Sequence, residues 1–466
     1  MSKIRVRSYL DGNAPQFNAA EKNGIIPFMK AMFEQESYGN IIPIGHQIDL
    51  VNNQLILEFD HNPGYSAGNL VQIVGSGLRS FADNFFRVVS NDGVRLYLKY
   101  DFNILDPIPV DFNSTSLVVR HAPMDWEVLY STDTQFSLRS KNENSSKNVI
   151  TFKRPQGSAY DTATTLYCSF THISKGLDSS TGNLIEDYFQ KEINSIANNT
   201  ESPFMIRVAG NYDNRSYQLA LDNTSVKYPW FLIGDDKFFY LILGNAYSYG
   251  YSAYPYFYMN FDRDPGNYDT RRCVYMFGDP DKILENDPED PTGFIFNTGY
   301  YNPITLYSQF TSNSISQRNS LTEFSALLNV PSNRAYDTAG CFFLRDFTNL
   351  PGNIQRAGLH TMSFNGGNYQ SPFSYPGPFS HGIYFFPIYT SVMYSDSSGN
   401  FNVNTSAYLR SKLPWALAPF QSVRNVTNTW VDLDYSILKA QGKDILSIVT
   451  HATANVLNRA VHFELD

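Results

Sequence analysis

The stretch Leu55–Gly77, LILEFDHNPGYSAGNLVQIVGSG, decides the fold class and raises the first functional question. Leu55, Leu57 and Phe59 alternate with polar neighbours, and Val71 and Ile73 resume the alternation after the turn signal Asn62-Pro63-Gly64. A period of two is the mark of strands with one buried face. Between the strands lies Gly64-Tyr65-Ser66-Ala67-Gly68, which fits G-x-S-x-G, the pattern of a serine-hydrolase nucleophile elbow. That elbow works only as a strained strand-to-helix turn. Here the residues after Gly68, NLVQIV, alternate again and carry no helical stripe. Gly64 and Gly68 therefore read as turn residues at positive φ, with Ser66 on the turn between them.

Outward from this stretch the same period returns at Val94, Leu96 and Leu98, after the turn triplet Asn91-Asp92-Gly93. Residues 41–121 are expected to form a small all-β module, a barrel or sandwich. Residues 1–40 read as an extended arm and one short helix. In NGIIPFMKAMFEQE, Asn23–Glu36, Pro27 stands near the helix start and Phe28, Met29, Met32 and Phe33 form an apolar stripe. The stripe either packs on its own domain or serves as a docking arm for a neighbouring subunit, so these four residues are the candidate interface. Residues 122–320 are expected to be a larger, irregular β-rich domain with one helical island, NLIEDYFQKEINSIAN from Asn183. Residues 321–466, rich in Gly, Pro and Asn turns, are expected to pack with it. The fold class is mainly β and multi-domain with few short helices, and no period of 20 to 50 residues suggests a solenoid or propeller.

Composition narrows the function. Charged residues make up 17% and the net charge is −9, so nothing draws the chain to nucleic acid or anionic lipid. The chain has no apolar run of the ~18 residues a membrane helix needs and no apolar leader at its start. Synthesis in a cytoplasm, as a chain that stays soluble, is the expectation. Cys168, Cys273 and Cys341 are far apart and odd in number, which suggests free thiols rather than a disulfide framework. The eight histidines form no H-x-H or H-E-x-x-H, so zinc chemistry has no support. Asp262–Cys273 begins like a calcium loop, but Cys273 stands where the twelfth-position glutamate belongs. DPDKILENDPED, residues 279–290, holds six carboxylates against one lysine and reads as an acidic surface loop, a second candidate for contact with a neighbour. No cofactor and no metal are expected. Aromatic residues reach 15% and are spread along the whole chain, which suits cores and subunit interfaces.

The order of several motifs adds a resemblance. Asn53–Tyr100 looks like a small β-module of tailed-bacteriophage virion proteins, in which a strand, a G-(Y/F)-S-x-G turn, a strand ending in V-x-G and an F-R-V strand succeed one another. In that resemblance Gly64, Ser66 and Gly68 are turn residues. HAPMDWEVLYSTDTQFSLRS, with Trp126, is similar to a following A-P-x-x-W-E element, and HISKGLDSSTGN holds the place of an M-T-D-x-D-T-G turn, less faithfully. YPWFLIGDDKFFYLIL resembles a strand pair through Trp230, Asp236, Phe239 and Tyr240. Phe277, Gly278 and Asp279 match an F-G-D turn, and AYLRSKLPWALAPFQS resembles a late element through Arg410 and Pro414. The matches cover most of residues 50–420. They imply a non-enzymatic virion component of the tail or baseplate, a homo-oligomer whose partners are other virion proteins. A receptor- or glycan-binding tail part with a host-surface glycan as partner, a neck or collar protein, and a hydrolase or depolymerase stand as alternatives.

Overall fold

The computed structural model describes residues 3–17, 24–34, 40–75, 85–100, 117–145, 147–154, 168–187, 205–207, 229–247, 250–260, 273–276, 341–343, 355–360, 385–392, 394–395, 401–402, 408–418, 435–453 and 456–465. The described part of the chain starts with strand β1 (Arg5–Ser8) and helix α1 (Ile25–Phe33). Six strands follow: β2 (Gly45–Asp49), β3 (Gln54–Glu58), β4 (Leu70–Gly75), β5 (Phe85–Asn91), β6 (Arg95–Lys99) and β7 (Leu117–His121). They make one antiparallel sheet in the order β2-β3-β6-β5-β4-β7. Ile41 and Val119 exchange main-chain hydrogen bonds of 3.0 and 2.8 Å, drawing the two ends of this sheet together into a half-barrel.

The alternation seen in the sequence is what fills this half-barrel. Leu55, Leu57, Val71, Ile73, Leu96 and Leu98 all belong to its single buried core. Val94 does not, because β6 begins one residue later and Val94 sits in the turn before it. That turn is built by Asp92, whose carboxylate accepts from the backbone of Val94 and Arg95 and from the Tyr97 hydroxyl. The backbone hydrogen bond from Arg95 does most to hold the Asp92 carboxyl below its ordinary pKa.

A second sheet follows, from β8 (Trp126–Ser131), β9 (Gln135–Ser140), β10 (Val149–Lys153), β11 (Cys168–Leu177), β12 (Leu184–Asp187) and β13 (Met205–Arg207). Its order is β12-β11-β10-β9-β8, with β13 also paired to β11. The helix expected from Asn183 is corrected here: its first residues are β12, with Leu184 paired to Leu177 and Asp187 to Ser174. The preceding turn decides the outcome. Asp178 accepts from the Ser180 backbone at 2.9 Å and from the Ser180 and Thr181 hydroxyls at 2.7 and 2.8 Å. These bonds, led by the Ser180 hydroxyl, lower the Asp178 carboxyl to about 2. Gly182, at φ +73°, lies so close to the Tyr130 ring that no Cβ would fit. The chain thus reverses and enters a ladder before a helical turn can close. Positions 188–198 of the expected helix lie outside the described residues.

The largest sheet is assembled from distant parts: β14 (Trp230–Gly234), β15 (Phe238–Tyr247), β16 (Gly250–Asn260), β17 (Cys273–Met276), β18 (Cys341–Phe343), β19 (Gln355–His360) and β20 (Phe386–Val392). After the small pair β21 (Tyr394–Ser395) and β22 (Phe401–Asn402) come β23 (Tyr408–Ala418), β24 (Tyr435–Ala440), β25 (Lys443–Thr453) and β26 (Val456–Glu464). Its twelve strands run β1-β14-β15-β16-β17-β18-β19-β20-β23-β26-β25-β24, and β16 also pairs with β25, so the sheet folds back on itself. The N-terminal arm is therefore a strand of this sheet, with Arg5 opposite Gly234 and Ser8 opposite Phe231.

Helix α1 wedges between the second and third sheets. Phe33 meets the Phe239 ring edge-on at 4.9 Å and Phe136 at 6.0 Å, and Phe28 meets Trp230 at 6.3 Å. Met29 and Met32 are fully buried. The candidate interface of Phe28, Met29, Met32 and Phe33 is corrected accordingly: the stripe is consumed inside the chain, where two aromatic sheet faces cover it. Its C-terminal carbonyls are answered internally as well, since the Arg7 guanidinium donates to Met32 O at 2.9 Å and Phe33 O at 3.1 Å.

Removing the Phe33 ring empties the centre of this aromatic cluster. Phe33→Ala is expected to lower stability by about 3–5 kcal/mol, the ordinary cost of deleting a buried aromatic ring. Urea denaturation followed by circular dichroism measures it, and a loss under about 1 kcal/mol would place the ring at a solvent face instead.

Candidate functional site

The connection from β3 to β4 carries the G-x-S-x-G string, and its shape follows from local polar chemistry. Gly64 N–H donates to Asn62 Oδ1 at 2.8 Å, Ser66 N–H to Asn69 Oδ1 at 2.6 Å, and Asn69 N–H to Ser66 O at 3.1 Å. Asparagine side chains that close on nearby backbone make tight turns without a helix. Gly64 and Gly68 take φ of +73° and +90°, where an L side chain is strained. Gly64 has a second reason to lack a side chain. Gly12 N–H donates to its carbonyl at 2.7 Å, and a Cβ on Gly64 would stand 2.7 Å from Gly12 Cα.

Asp11, one residue before that contact, lies on the turn with 1% exposure. Ser8 donates to it through its backbone at 2.9 Å and its hydroxyl at 3.3 Å, and the side chains of Ser66 and Asn69 are further hydrogen-bond partners. His121, equally buried at the end of β7, places Nε2 3.6 Å from Asp11 Oδ2. Tyr65 packs its ring edge-on against His121 at 4.8 Å and donates its hydroxyl to Val119 O at 2.9 Å. From the C-terminal part of the chain, Tyr435 is hydrogen-bonded to Ser66 and meets Phe231 edge-on at 5.6 Å. The Asn69 amide donates to Val6 O at 3.0 Å, and Arg87 donates to Gly68 O at 2.9 Å and Leu465 O at 2.6 Å. Four separated segments, the arm, the β3–β4 turn, the end of β7 and the C-terminal strands, meet at this polar node.

Burial dominates its electrostatics. Desolvation pushes the Asp11 carboxyl up to about 7, against the lowering effect of its hydrogen bonds. Burial, and then the Arg7 charge, pushes His121 well below its ordinary value. The Tyr65 and Tyr435 phenols are pushed up by burial and by the Asp11 charge. The Asp11–His121 separation falls within ion-pair distance, yet both shifts disfavour charge. A protonated carboxyl beside a neutral imidazole is the better description below neutrality. Ser66 contributes its hydroxyl to this carboxyl, and its turn leads into a strand. What the arrangement does chemically is fasten the arm and the C-terminal strands to the half-barrel.

The other residues singled out in the sequence sit elsewhere. Trp126 donates its indole N–H to Asp235 O at 2.7 Å. Asp236 accepts from the Asn142 amide at 2.8 Å and its carbonyl accepts from the Ser140 hydroxyl. Trp126, Asp236 and Phe239 therefore meet in one clasp between the second and third sheets, with the Trp126 and Phe239 rings 5.2 Å apart. Trp230 donates its indole N–H to Pro15 O at 2.9 Å, and Tyr240 packs on Phe463 at 4.9 Å. Arg410 and Pro414 lie on β23. Phe277, Gly278, Asp279 and the acidic loop 279–290 lie outside the described residues. Sequence reasoning missed Asp11, Asn69, Arg7, Arg87, His121 and Tyr435. Only the turn pair Asp11-Gly12 gave a local signal, and nothing local linked it to Gly64.

Among the described residues no group of three or more His, Cys, Asp or Glu side chains is arranged to hold a metal ion, and no helix is long and apolar enough to cross a membrane. Comparison with protein-family models, curated proteins and solved structures found no match.

Two outcomes follow from the node. Because the folded-state pKa of Asp11 is raised, its contribution is fully present below the unfolded value of 3.8 and is lost as pH rises towards about 7. The loss is on the order of 4 kcal/mol. His121 acts in the opposite sense, losing its contribution as pH falls below its ordinary 6.5. Asp11→Asn removes only the first effect, so the variant should melt higher than the parent at pH 8 and with it at pH 4. Equal melting temperatures at both pH values would show that Asp11 is not buried as described. Gly64→Ala meets both a forbidden φ and the Gly12 backbone, and should cost about 2–4 kcal/mol in chemical denaturation, more than a φ effect alone.

Proposed function

We propose that this chain is a non-enzymatic structural component of a tailed-bacteriophage virion, built into the tail or baseplate in several copies and acting through protein–protein contacts. The observation that carries this reading is the collinear order of the motif segments, from Gly64–Gly68 through Trp126 and Trp230–Tyr240 to Arg410–Pro414. The roles of the motif residues support it. Gly64 and Gly68 shape a turn, Trp126 and Asp236 clasp two sheets, Trp230 anchors the arm, and Phe239 and Tyr240 fill the core. A chain whose marked residues act as fasteners suits a part whose work is to keep its shape. The Ser66 hydroxyl, the one group with a hydrolase-like pattern, is engaged by Asp11 and Tyr435.

Immunogold electron microscopy of purified particles, with antibody raised against the whole chain, tests the proposal. Several labels per particle at one end of the tail are expected, and particles that carry none would overturn it. Ser66→Ala should leave incorporation into particles unchanged. An ester or glycoside hydrolysis by the purified chain that this substitution abolishes would replace the structural reading with an enzymatic one.

A further inference from the structure

The half-barrel has an open seam. It is closed at Ile41–Val119, but from Gly45 to Asp49 strand β2 has a neighbour, β3, on one side only among the described residues. An edge strand offers a row of backbone donors and acceptors to any extended chain, and proteins normally blunt such edges with charge, proline or a bulge. Its blunting is confined to its two ends, Pro43 and Asp49: between them Ile44-Gly45-His46-Gln47-Ile48 has no Asp, Glu, Lys, Arg or Pro, and the pairing with β3 is regular. Burial holds the His46 imidazole below its ordinary pKa, so it brings no charge at neutral pH.

The side chains along the edge are apolar where solvent would favour polar ones. Ile44, Ile48 and Leu50 are 59%, 37% and 70% exposed, and Ile42 and Val51 beside them are 55% and 90% exposed. His46 and Ile48 stand opposite Leu57 and Leu55, the two core residues of β3, so this row continues the apolar face of the core out to the bare edge. Together the exposures of Ile44, Ile48 and Leu50, on the face shared with the core, amount to more than one and a half complete aliphatic side chains per copy. Apolar side chains gathered along one edge, unlike ones scattered singly, mark an interaction site. Two such rows, two strand backbones and the flanking Ile42 and Val51 of each copy together approach the lower end of specific interfaces, roughly 1,000 Å² in total.

The pattern is also complementary to itself. In an antiparallel pairing of β2 with another β2 centred on Gln47, Ile44 meets Leu50, His46 meets Ile48, and Gly45 meets Asp49. Ile44 and Leu50 then face each other, and Ile48 faces His46. Gln47 faces its own copy with an amide that can both donate and accept. No charge meets a like charge, the condition a two-fold interface must satisfy at each symmetric pair. We propose that β2 is the edge through which two copies of this chain join, antiparallel about a two-fold axis at Gln47, forming one sheet that runs through both. This surface is argued from β2 alone and holds whatever particle the chain belongs to.

Sedimentation of the full chain, together with a cysteine placed on the axis, tests the pairing. The parent chain is expected to sediment as a dimer or a multiple of two. Gln47→Cys should form an intermolecular disulfide on mild oxidation, giving a band of twice the chain mass on a non-reducing gel. Val94→Cys, equally exposed but off the seam, should not. Ile44→Lys combined with Leu50→Lys should give monomers with an unchanged circular dichroism spectrum and a melting temperature that, unlike the parent's, does not vary with protein concentration. A parent chain that stays monomeric at 100 µM overturns the proposal and leaves the edge to a strand of a different protein. So does an oligomer that survives the double lysine change without cross-linking through Gln47→Cys.

Discussion

Burying charge in the N-terminal arm is the constraint on which the rest of the molecule turns. Within seven residues Arg5, Arg7 and Asp11 are all withdrawn from solvent, and a buried charge without partners would cost several kcal/mol. The partners come from widely separated parts of the chain. Arg5 pairs with Asp125 at 2.6 Å just before the second sheet. Arg7 takes carbonyls from the end of α1 and from Ala122, at 3.1 Å for the latter. Asp11 settles on the turn of the half-barrel. Because β1 is also hydrogen-bonded along β14, one short segment touches all three large sheets. The arm acts as a cross-brace, and its polar groups dictate where each sheet must present an acceptor.

How much of this could be read beforehand depends on the range over which each interaction acts. The half-barrel was legible because burial of one face imprints a period of two on Leu55, Leu57, Leu96 and Leu98, and that imprint is local. The stripe on α1 was legible for the same reason, but its destination was not. Phe136 and Phe239, which cover Phe33, lie more than a hundred residues away and leave no mark on the helix. The misreading at Leu184 has the opposite cause. Helical spacing of a few apolar residues is weaker than the non-periodic turn before them, where Asp178 and Gly182 fix the reversal. The polar node was least legible, since Asp11, Ser66, His121 and Tyr435 are individually ordinary residues whose significance is their meeting.

The G-x-S-x-G string shows how one pattern can arise from two different demands. In a hydrolase the glycines make room for a strained nucleophile. Here Gly64 makes room for another backbone, that of Gly12, and Gly68 for the Ile437 side chain, while Ser66 helps to satisfy a buried carboxyl. The spacing of small residues is shared because both settings need a tight turn approached closely from outside. What differs is the element that follows, a strand rather than a helix, and that was visible in NLVQIV from the start.

The pairing of β1 with β14 also sets an order of events during synthesis. Arg5 and Gly234 are about 230 positions apart, and a ribosome needs roughly ten to fifty seconds to bridge that distance. Throughout that interval β1 has no strand to join. The turn at Ser66 and the imidazole of His121 emerge well before β14 does, so Asp11 and Gly12 have a mooring on the half-barrel while the strand beside them waits. A nascent chain that holds its first strand in this way keeps a reactive edge from wandering to a neighbour on the same polysome.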